Sequence, residues 1–201
     1  MSKNNVLIVV AGPSGVGKGT VCARVFDSLE DLKFSVSATT RKPREGEVDG
    51  VNYFFVSQTH FDDMIKKGEF LEYADVFDNK YGTPKEYVFN ELESGKDVLL
   101  ELDIQGAMMV MESCKDAVFI FILPPDIREL NQRLTNRGTE SQEQLNLRIN
   151  KAKVEIGYAE KFDYIVVNEK VELAAEQIKS IITGEKCKTE RNQEFINELI
   201  K

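Results

Sequence analysis

The run Gly12-Pro13-Ser14-Gly15-Val16-Gly17-Lys18 is where residue type and spacing point most directly to chemistry. Its three glycines permit backbone turns that a β-carbon would hinder, so successive N–H groups can converge on phosphate oxygens. Lys18 adds a point charge, and the helical pattern beginning there adds the positive end of its dipole. The apolar run Val6 to Ala11 stands before it as a buried strand. Strand, glycine-rich loop and helix together form a polyphosphate cradle. Gly12, Pro13, Ser14, Gly15, Val16, Gly17, Lys18, Gly19 and Thr20 are therefore expected around a nucleoside triphosphate. One position departs from the usual loop. Gly19 stands where a Ser or Thr hydroxyl would reach Mg²⁺, and Thr20 is rotated by about 100° from that place. The Mg²⁺ that accompanies the triphosphate is thus expected to be held mainly by phosphate oxygens and water, with no metal site built from protein side chains.

Two further groups carry positive charge. Arg41 and Arg44 lie on a loop stiffened by Pro43, and Tyr53 and Tyr81 follow with hydroxyls. Two guanidinium forks and two phenols suit a monophosphate dianion, although Arg-Lys-Pro-Arg alone reads more readily as a solvated basic loop. Arg133 and Arg137 stand one helical turn apart, and Arg148 falls on the next predicted helix. They could meet transferring phosphates, or pair with Glu129, Glu140 and Glu143.

Ser37-Ala-Thr-Thr-Arg41-Lys-Pro-Arg44-Glu-Gly46, Gly50-Val-Asn-Tyr53, Gly68-Glu-Phe-Leu-Glu72-Tyr, Tyr81-Gly-Thr83-Pro and Asp103-Ile-Gln-Gly106 occur in this order. In order and spacing the chain resembles guanylate kinases over roughly residues 5–185. The resemblance implies transfer of the γ-phosphoryl group of ATP to GMP, and to dGMP, in line and with Mg²⁺. It implies that Arg41, Arg44, Tyr53 and Tyr81 hold the GMP phosphate, and that Ser37, Glu72, Thr83 and Asp103 read the guanine. Thr83 replaces the serine of many members and keeps the hydroxyl. Arg133 and Arg137 would meet ATP from a helical lid, with Lys18, Arg41, Arg137 and Arg148 the catalytic group and Gly138 a possible hinge.

The chemistry agrees with those roles. Guanine offers donors at N1 and its 2-amino group, which carboxylates accept, and an acceptor at O6, to which hydroxyls donate. Adenine would set a lone pair against a carboxylate and leave buried groups unpaired. The GMP phosphate is itself the nucleophile, so positioning and electrostatics suffice. Two other classes compete. Asp103-x-x-Gly106 also suits a regulatory GTPase, but Gly19 and the absence of an Asn-Lys-x-Asp motif argue against it. A non-catalytic guanylate-kinase-like binding module would not need the intact Gly17 and Lys18.

The elements that must position these groups alternate. Strands are predicted around Phe34 to Ser37, Tyr53 to Val56, Phe70 to Val76, Val98 to Leu102, Ala117 to Leu123 and Tyr164 to Val167. Ser57 caps a helix stopped by Gly68, Thr83-Pro84 opens one that ends at Gly95, and Asp126 caps one running to Arg137. Ser141-x-x-Gln144 opens another with Leu145, Ile149, Ala152 and Ile156 as its stripe, followed by helices over 171–182 and in the charged tail 186–201. The expected fold is one α/β domain: a three-layer P-loop NTPase core with a central parallel sheet (1–34, 96–125 and 157–201), a mixed α/β GMP-binding insertion (35–95) and the helical lid (126–156). The net charge of −8 over 201 residues argues against a nucleic-acid partner. Three cysteines without metal spacing, and no apolar run long enough for a membrane, suit the cytoplasm. ATP and GMP are the expected partners, in a monomer or homodimer.

Overall fold

Apolar residues run without a break along β1 (Leu7–Ala11) and β8 (Val118–Leu123), as buried parallel strands require. The computed structural model describes residues 5–76, 78–135 and 142–201, with side chains omitted over 142–146. β1 and β8 pair in parallel with β2 (Leu32–Phe34), β7 (Asp97–Glu101) and β9 (Tyr164–Val167) in the order β2-β7-β1-β8-β9. Alternation on β1 divides the core. Val6, Ile8 and Val10 face a cluster containing Val21 and Val25 of α1 (Lys18–Phe26) and Ala174 and Ile178 of α7 (Val171–Lys186). Leu7, Val9 and Ala11 face the opposite cluster, with Val88 of α3 (Lys85–Glu93) and Ile104 and Val110 of α4 (Ile104–Ser113). A fully buried side chain of this size contributes about 1.5–3 kcal/mol.

A second, four-stranded sheet runs β4-β3-β6-β5, with β3 Ala38–Thr39, β4 Phe54–Phe55, β5 Phe70–Val76 and β6 Asn79–Pro84. Its apolar face packs on α2 (Gln58–Lys67) through Ala38, Phe54, Phe61 and Phe70. Ser57 caps α2 by accepting from the His60 N–H, and Gly68 ends it at φ 68°. Helices α5 (Ile127–Thr135) and α6 (Gln142–Ile156) pack on each other through Leu130, Leu134, Ile149 and Ala152.

Several expectations need correcting. The first short strand lies at Leu32–Phe34, and the chain pairs again at Ala38–Thr39, within the predicted loop. Thr83-Pro84 closes β6, and the helix starts only at Lys85, because Thr83 pairs with Glu72 across the sheet. Helix α4 had no predicted counterpart. The tail divides: α7 continues to Lys186, and after a 3₁₀ turn α8 spans Gln193–Leu199. Arg137, Gly138 and Ser141 lie outside the described residues, as does the Leu145 side chain.

Carboxylates fasten the end of the central sheet far from the glycine-rich loop. Asp97 accepts from the Val6 N–H at 3.0 Å and pairs with Lys186 at 2.6 Å. Glu185, 2% exposed, accepts from the Tyr164 hydroxyl and pairs with Lys188 at 2.8 Å. Burial pushes its carboxyl up, but these donors prevail and hold it below the ordinary range.

Candidate active site

At the C-terminal end of β1 the chain turns through the glycine-rich loop into α1, where loops beyond parallel strands commonly bind ligands. Lys18 folds back along this loop, its Nζ donating to the carbonyls of Gly12 at 2.7 Å and Pro13 at 3.4 Å. Burial lowers its pKa, opposed chiefly by the charges of Glu101 and then Glu155. Val16 is buried, and its carbonyl accepts from Asn168 Nδ2 at 2.8 Å and Arg133 Nη1 at 3.2 Å. Arg133 also donates to the Asn168 carbonyl at 3.0 Å and, through Nε, to Glu129 at 3.0 Å. Arg133 thus pairs with Glu129 on its own helix, the second of the two alternatives, and also touches a carbonyl of the loop. Helix α6 reaches Ser14 twice. Glu155 Oε2 accepts from the Ser14 N–H at 3.0 Å, and Arg148 Nη2 donates to the Ser14 hydroxyl at 3.2 Å.

The polar face of the second sheet gathers the other predicted residues. Strand alternation places Thr39, Tyr81, Thr83 and Glu72 on the side opposite Ala38 and Gly82. A bulge at Leu71 makes this possible: Phe70 opposes Pro84, yet Glu72 opposes Thr83. Leu71 turns into the main core, and Glu72 is free to face the cleft. Arg41 lies 5.4 Å over the Tyr53 ring, which meets Tyr81 edge-on at 5.9 Å. Glu47 grips Arg41 with both oxygens, at 2.8 and 3.0 Å, and this hydrogen bonding holds the guanidinium firmly charged. Glu47 also accepts from the Arg44 N–H at 2.7 Å, whereas the rest of Arg44 is exposed. Ser37 is half-buried where the chain enters β3.

Glu72 and Thr83 form a buried pair, with hydroxyl to carboxylate at 2.6 Å and exposures of 8% and 1%. Burial pushes the Glu72 carboxyl above its ordinary range, partly offset by the Thr83 hydrogen bond and reinforced by the Asp103 charge. Asp103 caps α4, one oxygen accepting from the Gly106 N–H at 2.8 Å. Any β-carbon at Gly106 would stand 3.2 Å from Glu72 Oε2 and 3.5 Å from Asp103 Oδ1. The missing side chain leaves room for both carboxylates. A cleft of about 610 Å³ opens beside them, lined by Ala74, Asp103, Met108, Lys151, Glu155 and Tyr158 among others.

Sequence reasoning missed Glu101, Glu155, Asn168 and the spatial role of Gly106. Glu101 carried a readable signal, a carboxylate ending an apolar strand beside the loop. Its oxygens would lie 3.5 Å from a β-carbon at Gly19, and burial raises its pKa while Lys18 lowers it. Among the described residues no cluster of three or more His, Cys, Asp or Glu is placed to hold a metal ion. Glu101, beside Gly19 at the end of β7, is a carboxylate that would suit the water shell of a magnesium carried by phosphate. No described helix is long and apolar enough to cross a membrane.

A family model described as guanylate kinase matches residues 4–185. The guanylate kinase of Caldanaerobacter subterraneus subsp. tengcongensis is 52% identical over 195 residues, covering 97% of this chain and 95% of its own. That of Clostridioides difficile is 50% identical over 199 residues, covering 99% and 97%. The crystal structure of guanylate kinase from Anaplasma phagocytophilum superposes with a TM-score of 0.71 at 35% identity, over 93% of this chain and 89% of that one. With the family model spanning residues 4–185 and relatives about half identical over nearly the whole chain, the chain belongs to the guanylate kinase family.

Proposed function

We propose that this chain transfers the γ-phosphoryl group of ATP to GMP, yielding ADP and GDP. The observation that most supports this is the buried Glu72–Thr83 pair beside Asp103, on the same sheet face as Arg41 and Tyr81. The Glu72 and Asp103 carboxylates can accept from N1–H and the 2-amino group of guanine, and the Thr83 hydroxyl, which here donates to Glu72, would turn from it to donate to O6. Arg41, Arg44, Tyr53 and Tyr81 would receive the GMP phosphate, with Ser37 completing base recognition. dGMP should also serve, because these residues address base and phosphate.

On the other side, the amides of residues 12–20 and the Lys18 ammonium would surround the ATP phosphates. Magnesium, held by phosphate and water near Glu101, would neutralise charge on the triphosphate. Arg41 offsets repulsion between the two anions, and its grip by Glu47 fixes the direction of its fork. Arg148, already at Ser14, and Arg137 would meet the transferring group, with Arg133 behind the loop. The segments divide accordingly: a core of 1–34, 96–125 and 157–201, a GMP-binding segment of 35–95 and a lid of 126–156. The three free thiols suit the cytoplasm.

A coupled assay with ATP and Mg²⁺ tests this reading. GMP should be phosphorylated at a kcat/KM at least about 10⁴-fold above AMP. Comparable use of AMP, or no diphosphate at all, would overturn it.

A further inference from the structure

The Val16 carbonyl receives two donors from outside the loop, Asn168 Nδ2 and Arg133 Nη1. Asn168 is 3% exposed, and its own N–H donates to the Leu123 carbonyl at 2.8 Å at the end of β8. The central sheet therefore anchors the Asn168 backbone independently of the loop, and the side chain reaches from that anchor to Val16. Arg133 braces it from behind through the Asn168 carbonyl. In a trans peptide the carbonyl and the next N–H point in opposite directions. With the Val16 oxygen held against Asn168, the Gly17 N–H is turned the other way, into the hollow of the loop. Gly17 takes φ 93°, and a β-carbon there would stand 2.8 Å from Asn168 Nδ2. The glycine and the asparagine fit each other.

We infer that Asn168 is a positioning residue of the ATP site: with Arg133 behind it, it sets the Val16–Gly17 peptide so that the Gly17 N–H faces the triphosphate before any ligand arrives. This rests on the assignment of residues 12–20 to ATP. An amide oriented in advance need not reorganise on binding, which is where such donors gain their effect. A buried asparagine that merely satisfied its own hydrogen bonds would affect stability without favouring one substrate over the other.

The test uses Asn168→Leu, which keeps the volume, removes the donor and adds no charge. Calorimetry would follow Mg–ATP, Mg–tripolyphosphate and GMP, and NMR the Gly17 amide of the ligand-free protein. The variant should bind both ATP and tripolyphosphate about tenfold or more weakly, bind GMP within twofold of the parent, and show a displaced Gly17 resonance. Unchanged tripolyphosphate binding, or equal losses for ATP and GMP, would overturn the inference. If that variant fails to fold, Arg133→Lys keeps the charge but loses the fork. It should weaken tripolyphosphate in the same direction and shift Gly17, and no effect on either would be equally fatal. A parent chain that binds tripolyphosphate but makes no GDP would sink the proposed activity and leave this inference standing.

Discussion

Glu72 and Lys18 are titratable side chains of the proposed site that burial shifts away from their ordinary pKa, and each yields a clear expectation. Glu72→Gln keeps the shape but replaces an acceptor with a donor in the proposed guanine site. KM for GMP should rise on the order of 10²-fold while KM for ATP stays within about twofold, measured by steady-state kinetics. Equal effects on both would remove Glu72 from the base site. Lys18→Ala removes both the charge and the brace across Gly12 and Pro13, so kcat should fall on the order of 10²–10³-fold. Residue types alone pointed to these proposed roles unevenly. Lys18 stood in a loop that declares itself, whereas Glu72 alone reads as a strand residue facing solvent. Asn168 carried no signal, since its partner lies 152 positions away.

Helix α6 presents Arg148 and Glu155 seven residues apart, two turns on one face, and both touch Ser14. The Glu155 carboxylate thus rests on an N–H of the loop proposed to bind ATP. Phosphate that uses this amide displaces it, so Glu155→Gln should bind ATP about fivefold more tightly in a calorimetric titration, because a neutral acceptor holds the amide less strongly. Unchanged or weaker binding would show that Glu155 does not compete. The main elements were legible where periodicity was clean: β5 and β9 match their predicted spans, and Asp126 caps α5 by accepting from the Glu129 N–H. β6 was not. Thr83-Pro84 read as a helix start, yet Gly82 just before it lies under the Phe70 ring, where a β-carbon would meet it at 2.9 Å. Its strand character comes from β3 and β5, its neighbours in space.

Across the whole molecule, acid should act on two carboxylates in opposite senses. Glu185 has a depressed pKa when folded, so its contribution is present above its unfolded value near 4.5 and is lost as pH falls through the lower folded one. Glu185→Ala should cost about 2 kcal/mol by chemical denaturation at neutral pH, and less as the pH drops. Glu72 has a raised pKa, so protonation favours the fold but removes an acceptor from the proposed guanine site. GMP affinity should fall at a higher pH than stability does, and the step should vanish in Glu72→Gln. Calorimetric GMP titrations alongside denaturation curves from pH 7 to 4 check both. If unfolding came first, the fastening at the far end of the sheet would not be what keeps the protein together in acid. If both expectations hold, the raised Glu72 carboxyl would make mild souring a pause, not damage: GMP binding would lapse while the chain stays folded and return on neutralising, with no refolding step in between.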